Sequence, residues 1–264
     1  MRLFFKALKT NLKRQIISIN FLLMVILASL CYFMSILDEL RYLWNSTSAD
    51  VLYFFDIAQN IGYFTSMSIL CCTTVNCTSF LRDYHSGYYR HNIMRSGKFN
   101  YILSKYISCV ITGGLILAVG LALFLFVLAI RFPLISDDSY YLELYIRSVE
   151  TIFPAELLKN GKYVGFFTIY IFLAFIYGAL WSGMGIAVSS FITDKYVASF
   201  SPYILWFGSS CVLTGKLRTE IVFKGNYSVG GLYGSLLYAI LYFGSIVIVL
   251  AIMFCKNAER RCDG

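Results

Sequence analysis

The chain is poor in charge, proline and histidine. Of its 264 residues only 14% are Asp, Glu, Lys or Arg, three are proline and two are histidine, whereas 59% are hydrophobic. So little charge excludes an ordinary soluble domain, in which about 25% of residues are charged. The two histidines, His85 and His91, share one basic segment with no HExxH spacing and no acidic ligand set. That excludes the common zinc-hydrolase patterns. No GxxxxGK(S/T) string occurs, and the nearest text, Gly215-Lys216, lacks the first glycine; the chain has no phosphate-cradling loop of that kind. A membrane serine protease needs a histidine at membrane depth, and no apolar run contains one. The eight cysteines mostly fall in or beside apolar runs, where cysteine behaves as a small hydrophobe. The adjacent pair Cys71-Cys72 suits neither a zinc knuckle nor a redox CxxC. No catalytic, metal-binding or cofactor-binding residue is expected in this chain.

What is present is apolar length. Mean hydropathy is +0.70, with 21 tyrosines and 23 phenylalanines. A helix needs about 20 apolar residues to cross the hydrocarbon core. Six runs qualify, near residues 16–36, 57–79, 106–130, 164–190, 197–214 and 231–255. Lipid offers no partners to open backbone groups, so these runs are expected to be helices. The expected fold is a single all-α polytopic membrane domain over residues 1–264, with six transmembrane helices.

Charge sets the expected orientation. If the N-terminus is inside, most of the 22 Lys and Arg fall on inner segments and most of the 14 acids on outer ones. Both termini are then expected in the cytosol. The net charge of +8 reports topology and attraction to the lipid bilayer, not a nucleic-acid face. Residues 1–15 read as an amphipathic interfacial helix, with Arg2, Lys6, Lys9 and Lys13 on one face and Phe4, Phe5, Leu8 and Leu12 on another. A cleaved signal peptide is the rival, but the run that follows is too long and lacks a small-x-small site.

The polar residues of the second run are Thr65, Ser66, Ser68, Thr73, Thr74, Asn76, Thr78 and Ser79. Such side chains bond across helices or line a wet path. Thr65, Ser66, Thr73 and Asn76, with Ser199 and Ser209 of the fifth run, are the candidate pathway-lining residues. Residues 37–56 read as a solvated outer rim with Asp38, Glu39, Asp50 and Asp56. Residues 131–163 read as an outer amphipathic helix ended by Pro154, and residues 215–229 as a polar outer segment. Gly113-Gly114 either kinks its helix or lets a neighbour approach closely, Gly178 with Ser182 predicts close helix contact, and Pro202 predicts a bend or one unwound turn.

Between the second and third runs lies a basic, aromatic segment, residues 80–106. It carries Arg82, Asp83, His85, Gly87, Tyr88, Arg90, His91 and Met94, with a break at Ser96-Gly97. Two readings stand open on physics alone. The basic residues suffice as a positive-inside anchor, whereas exposed Tyr and His among charges fit a helix that docks a cytosolic protein.

The layout of a basic interfacial helix, six spans and this loop resembles the membrane subunits of ABC-2 type exporters. The likeness is carried by Asp83, Gly87, Arg90, Ser96-Gly97, Tyr101 and Lys105, in that order. It implies that residues 80–106 contain a cytosolic coupling helix, and that residues 215–229 fold back as short outer helices. It also implies a cytosolic ABC ATPase pair as partner, with ATP and Mg on that partner, and a second permease copy or a similar permease. No Asp, Glu, Lys, Arg or His lies well inside a run, so no means of using an ion gradient is visible. Energy from another chain is the expectation. The cargo is expected to be hydrophobic or amphipathic, such as a peptide, lipid or drug, and the location a bacterial plasma membrane. The alternative is a scaffold or sensor that does not transport and binds another cytosolic partner through residues 80–106.

Overall fold

The computed structural model describes residues 2–44, 49–60, 63–75, 77–136, 142–143, 145–146, 153–224 and 234–263. Every regular element among them is helical. The helices are α1 (Arg2–Ile16), α2 (Ile19–Leu43), α3 (Val51–Asn60), α4 (Tyr63–Thr74), α5 (Ser79–His85), α6 (Tyr88–Ser96) and α7 (Lys98–Arg131). They continue as α8 (Phe153–Lys159), α9 (Tyr163–Ser189), α10 (Lys195–Val212), α11 (Thr219–Lys224) and α12 (Gly234–Asp263), with a 3-10 turn at Gly215–Leu217.

Four of these, α2, α7, α9 and α12, are long and apolar enough to cross a bilayer. The chain is an all-α, multi-pass membrane protein. The other two expected spans take a different form. The second is described as α3 and α4 on either side of residues 61–62, which lie outside the described residues; the 12 residues of α4 alone cover about 18 Å against about 30 Å of hydrocarbon. The fifth, α10, has only 18 residues and includes Lys195, four serines and Pro202. The third is longer than expected, since α7 begins at Lys98 and its 34 residues run about 51 Å. Its first turns therefore extend past the hydrocarbon.

The centre of the bundle is the antiparallel contact of α7 with α9. A Cβ on Gly178 would lie 2.6 Å from the Gly113 carbonyl, and one on Gly114 would lie 2.7 Å from the Phe175 carbonyl. The paired glycines thus allow backbone-to-backbone approach, as their spacing predicts. On the other side of α7, Gly120 receives Ala28 of α2, and Tyr32 stacks on Phe124 at 5.0 Å.

Pro133 and the adjoining Phe132 mark one end. There Val51 N–H donates to the Pro133 carbonyl, and Phe54 meets Phe132 at 4.9 Å. Asp50 is fully buried at this end, contrary to the expected solvated rim. Its carboxylate caps α3 by accepting from the Tyr53 N–H at 2.8 Å, and also accepts from the Ser136 N–H. Burial pushes the Asp50 carboxyl above its ordinary range. Pro154 lies in the first turn of α8, where its missing N–H is no loss; it opens this helix, and residues 147–152, the end of the run it was expected to close, lie outside the described residues. Most of residues 137–152, including Tyr141, Leu144 and Ile152, lie outside the described residues. Residues 219–224 form α11, whose Val222 and Phe223 are buried and whose Phe223 stacks on Tyr177 at 4.7 Å. The segment read as polar therefore drives its apolar pair into the core.

The opposite end carries both chain ends. α1 packs along the first turns of α7, with Asn11 Nδ2 donating to Ser104 Oγ at 3.1 Å and Thr112 Oγ1 donating to Gln15 Oε1 at 3.3 Å. Phe5, expected on the apolar face, is 62% exposed, because the packed stripe runs through Phe4, Ala7, Leu8, Asn11 and Gln15. The last turns of α12 pack near the end of α9, where Arg261 donates to the carbonyls of Ser189 and Phe191.

Candidate functional site

The segment between α4 and α7 folds as two short helices. Gly87 separates them at φ 69, a left-handed conformation that Gly adopts without strain, and its N–H donates to the Tyr84 carbonyl. Gly97, at φ 81, separates α6 from α7. No side chain added at Gly87 would meet anything within 4 Å. The backbone angle alone selects glycine there.

This helix pair is fastened from below by an aromatic cluster. Phe80 meets Phe254 of α12 at 5.4 Å, Tyr84 stacks on Tyr89 at 5.2 Å, and Tyr106 of α7 lies 5.7 Å from Phe254. Tyr106 also donates to the Val247 carbonyl at 2.7 Å. A buried ion pair adds a polar fastening: Lys105 Nζ lies 2.7 Å from Asp83 Oδ2, and both side chains are 5% exposed. Tyr101, one turn before Lys105, donates its hydroxyl to the same oxygen at 2.9 Å. Asp83 is thereby locked to two residues of α7. Any tilt of α5 must carry the first turns of α7 with it or break a desolvated charge pair.

The eight residues expected to couple to a partner divide into two sets. Arg82, His85, Gly87, Tyr88, Arg90, His91 and Met94 are exposed, Met94 at 79%. Asp83 points inward and contributes to the fastening. The outward set joins two arginines to one tyrosine ring, two imidazoles and a thioether. Tyr88 lies within 6.4 Å of His91, and the Arg14 guanidinium of α1 lies 6.0 Å from the Tyr88 ring.

The expected pathway residues are less concentrated. Thr73 donates to the Leu70 carbonyl and, at 3.2 Å, to the Ser199 carbonyl of α10. Thr73 and Ser199 are therefore brought together. The Ser199 hydroxyl donates to Lys195, and Ser209 donates to Trp206 within the same helix. These hydroxyls satisfy helix carbonyls. The side chains of Thr65 and Ser66, and the whole of Asn76, lie outside the described residues. Pro202 stays inside α10; it cannot donate to the Ala198 carbonyl, which accepts instead from the Ser201 hydroxyl at 3.0 Å.

Sequence reading missed two roles. Asn257 and Arg261 reach the last carbonyls of α9, which a helix end leaves without partners. A basic residue in the last turn of α12 reads equally well as a topology signal, so periodicity cannot show this. The pairing of Asp83 with Lys105 was missed as well. Its only sequence trace is an acid and a lysine at the two mouths of the loop.

Comparison with family models, with characterised proteins and with solved structures finds no match to this chain.

Proposed function

We propose that this chain is the membrane-spanning subunit of an ATP-driven exporter of the ABC-2 type, with α5–α6 as its coupling element. In this reading α3–α4 and α10 supply the second and fifth of six crossings, and both termini face the cytosol of a bacterium. A cytosolic ATPase pair binds the exposed face of α5–α6 and supplies ATP and Mg. Two copies, or one copy and a similar permease, form the path for a hydrophobic or amphipathic cargo.

One observation carries the reading. A basic, aromatic helix pair is presented outward while its inner side is joined to α7 by the Asp83–Lys105–Tyr101 contacts and to α12 by Phe80. A push on the outer face thus reaches two long helices at once, which is the mechanical requirement for coupling. An anchor that only holds topology has no use for such a rigid linkage.

The test is copurification of the tagged full-length protein from its native host, with ATP hydrolysis measured in the eluate. The wild type brings down a nucleotide-binding chain. Arg90→Glu with Met94→Asp, both on the exposed face, loses it while the helix content stays unchanged. Gly87→Pro, which cannot adopt φ 69 and lacks the donating N–H, lowers cargo-stimulated hydrolysis. A wild type that repeatedly yields no ATPase sinks the reading and leaves a scaffold or sensor in its place.

A further inference from the structure

We propose that the polar cavity where α1 turns into α2 binds the phosphate headgroup of an anionic phospholipid. This rests on the membrane insertion of the long helices and is independent of the transport reading.

The cavity, of about 70 Å³, is lined by Asn11, Arg14, Ser79, Arg82 and the Asp83–Lys105 pair, among others. Asp83 is already matched by Lys105 at 2.7 Å and by the Tyr101 hydroxyl. Arg14 and Arg82 therefore remain as uncompensated positive charge, with no carboxylate within ion-pair distance among the described residues. The Ser79 hydroxyl on the same wall is buried without a hydrogen-bond partner. A buried hydroxyl seeking a partner beside two guanidinium forks is a donor set suited to phosphate oxygens.

The depth of the cavity identifies the source of the phosphate. Apolar residues begin at Ile16 and Ile17, just after Arg14, and α2 starts at Ile19, so the cavity lies at the level where hydrocarbon meets headgroups. Ser18, on the cavity wall, also borders an apolar groove of about 550 Å³ whose sides include Ile17, Leu22, Ile26, Val119 and Leu123. A free phosphate ion would use only the polar cavity. A phospholipid fills both, with its phosphate at the arginines and an acyl chain against the groove. Basic pockets between helices at the cytoplasmic face suit anionic lipid for this reason.

The test uses the purified full-length protein in mild detergent, with phosphatidylglycerol or phosphatidylcholine added and retained lipid counted by native mass spectrometry. Phosphatidylglycerol is expected to be held in preference to phosphatidylcholine. Arg14→Gln with Arg82→Gln should weaken that binding by about thirtyfold. Arg95→Gln, in the separate groove between α1 and α6, should leave it unchanged. Ile26→Trp fills the apolar groove from an exposed position and should also weaken lipid retention, which keeps the test decisive if the arginine variant misfolds. Equal retention of the two lipids overturns the proposal. So does wild-type retention by a folded arginine variant. Displacement of phosphatidylglycerol by an equal concentration of glycerol 3-phosphate overturns it too, because the site would then need no acyl chain.

Discussion

Around Pro133, α2, α3, α7 and α9 meet through rings: Phe54 on Phe132, Tyr32 on Phe124 and Phe55 on Tyr170, each near 5.0 Å. Around Asp83, α5, α7 and α12 meet through a smaller aromatic cluster wrapped about one desolvated ion pair. Ring contacts are many and individually modest, so any one can be altered and its neighbours repack. A buried charge pair is tolerant only as a pair, since removing one partner leaves the other charge unsolvated. The first end is built to hold. At the second, α5 is tied to α7 by a charge pair that neither helix can leave without stranding its partner.

The sharpest way to break this contrast is Lys105→Met, which strands the Asp83 carboxylate. It should cost about 3–5 kcal/mol in denaturant-driven unfolding in micelles, followed by the fluorescence of the three tryptophans. Adding Asp83→Leu to that variant should recover most of the loss; if the double variant is as unstable as the single, packing and not charge holds this end. Next comes Gly178→Val, at the middle of the bundle, where the new Cβ would stand 2.6 Å from the Gly113 carbonyl. The same unfolding assay should show a loss of about 1–3 kcal/mol.

At the ring-packed end, Phe124→Leu should cost only about 1 kcal/mol, well below the Lys105 variant, since much of its volume is kept. A larger loss there than at Lys105 would reverse the contrast. Asp50→Asn should have the smallest effect, because Asn also caps a helix. Its value lies in pH dependence. Burial raises the folded pKa of Asp50, so the folded state holds that proton more tightly than the unfolded chain. Stability from this group is therefore present at low pH and declines as pH rises through the carboxylate range towards the raised folded value. The Asn variant should lack that decline, which sets in as pH rises above the ordinary carboxylate value of about 4.

The helical, membrane-embedded class was legible in the sequence, because apolar length and a scarcity of charge bear on every residue and lipid permits few backbone solutions. The close contact at Gly113 and Gly178 was legible for a related reason: small residues one turn apart mark a face before any partner is known. The exposed side of α5–α6 could be read from its composition. Tertiary structure alone turned Asp83 inward onto Lys105, buried Phe223 and Asp50, and set Arg261 on the carbonyls of α9. Each of these joins residues distant in the chain, and no local period, propensity or charge count specifies which remote group a side chain will meet. The bundle decides that when its helices pack and leave a polar group no water to turn to.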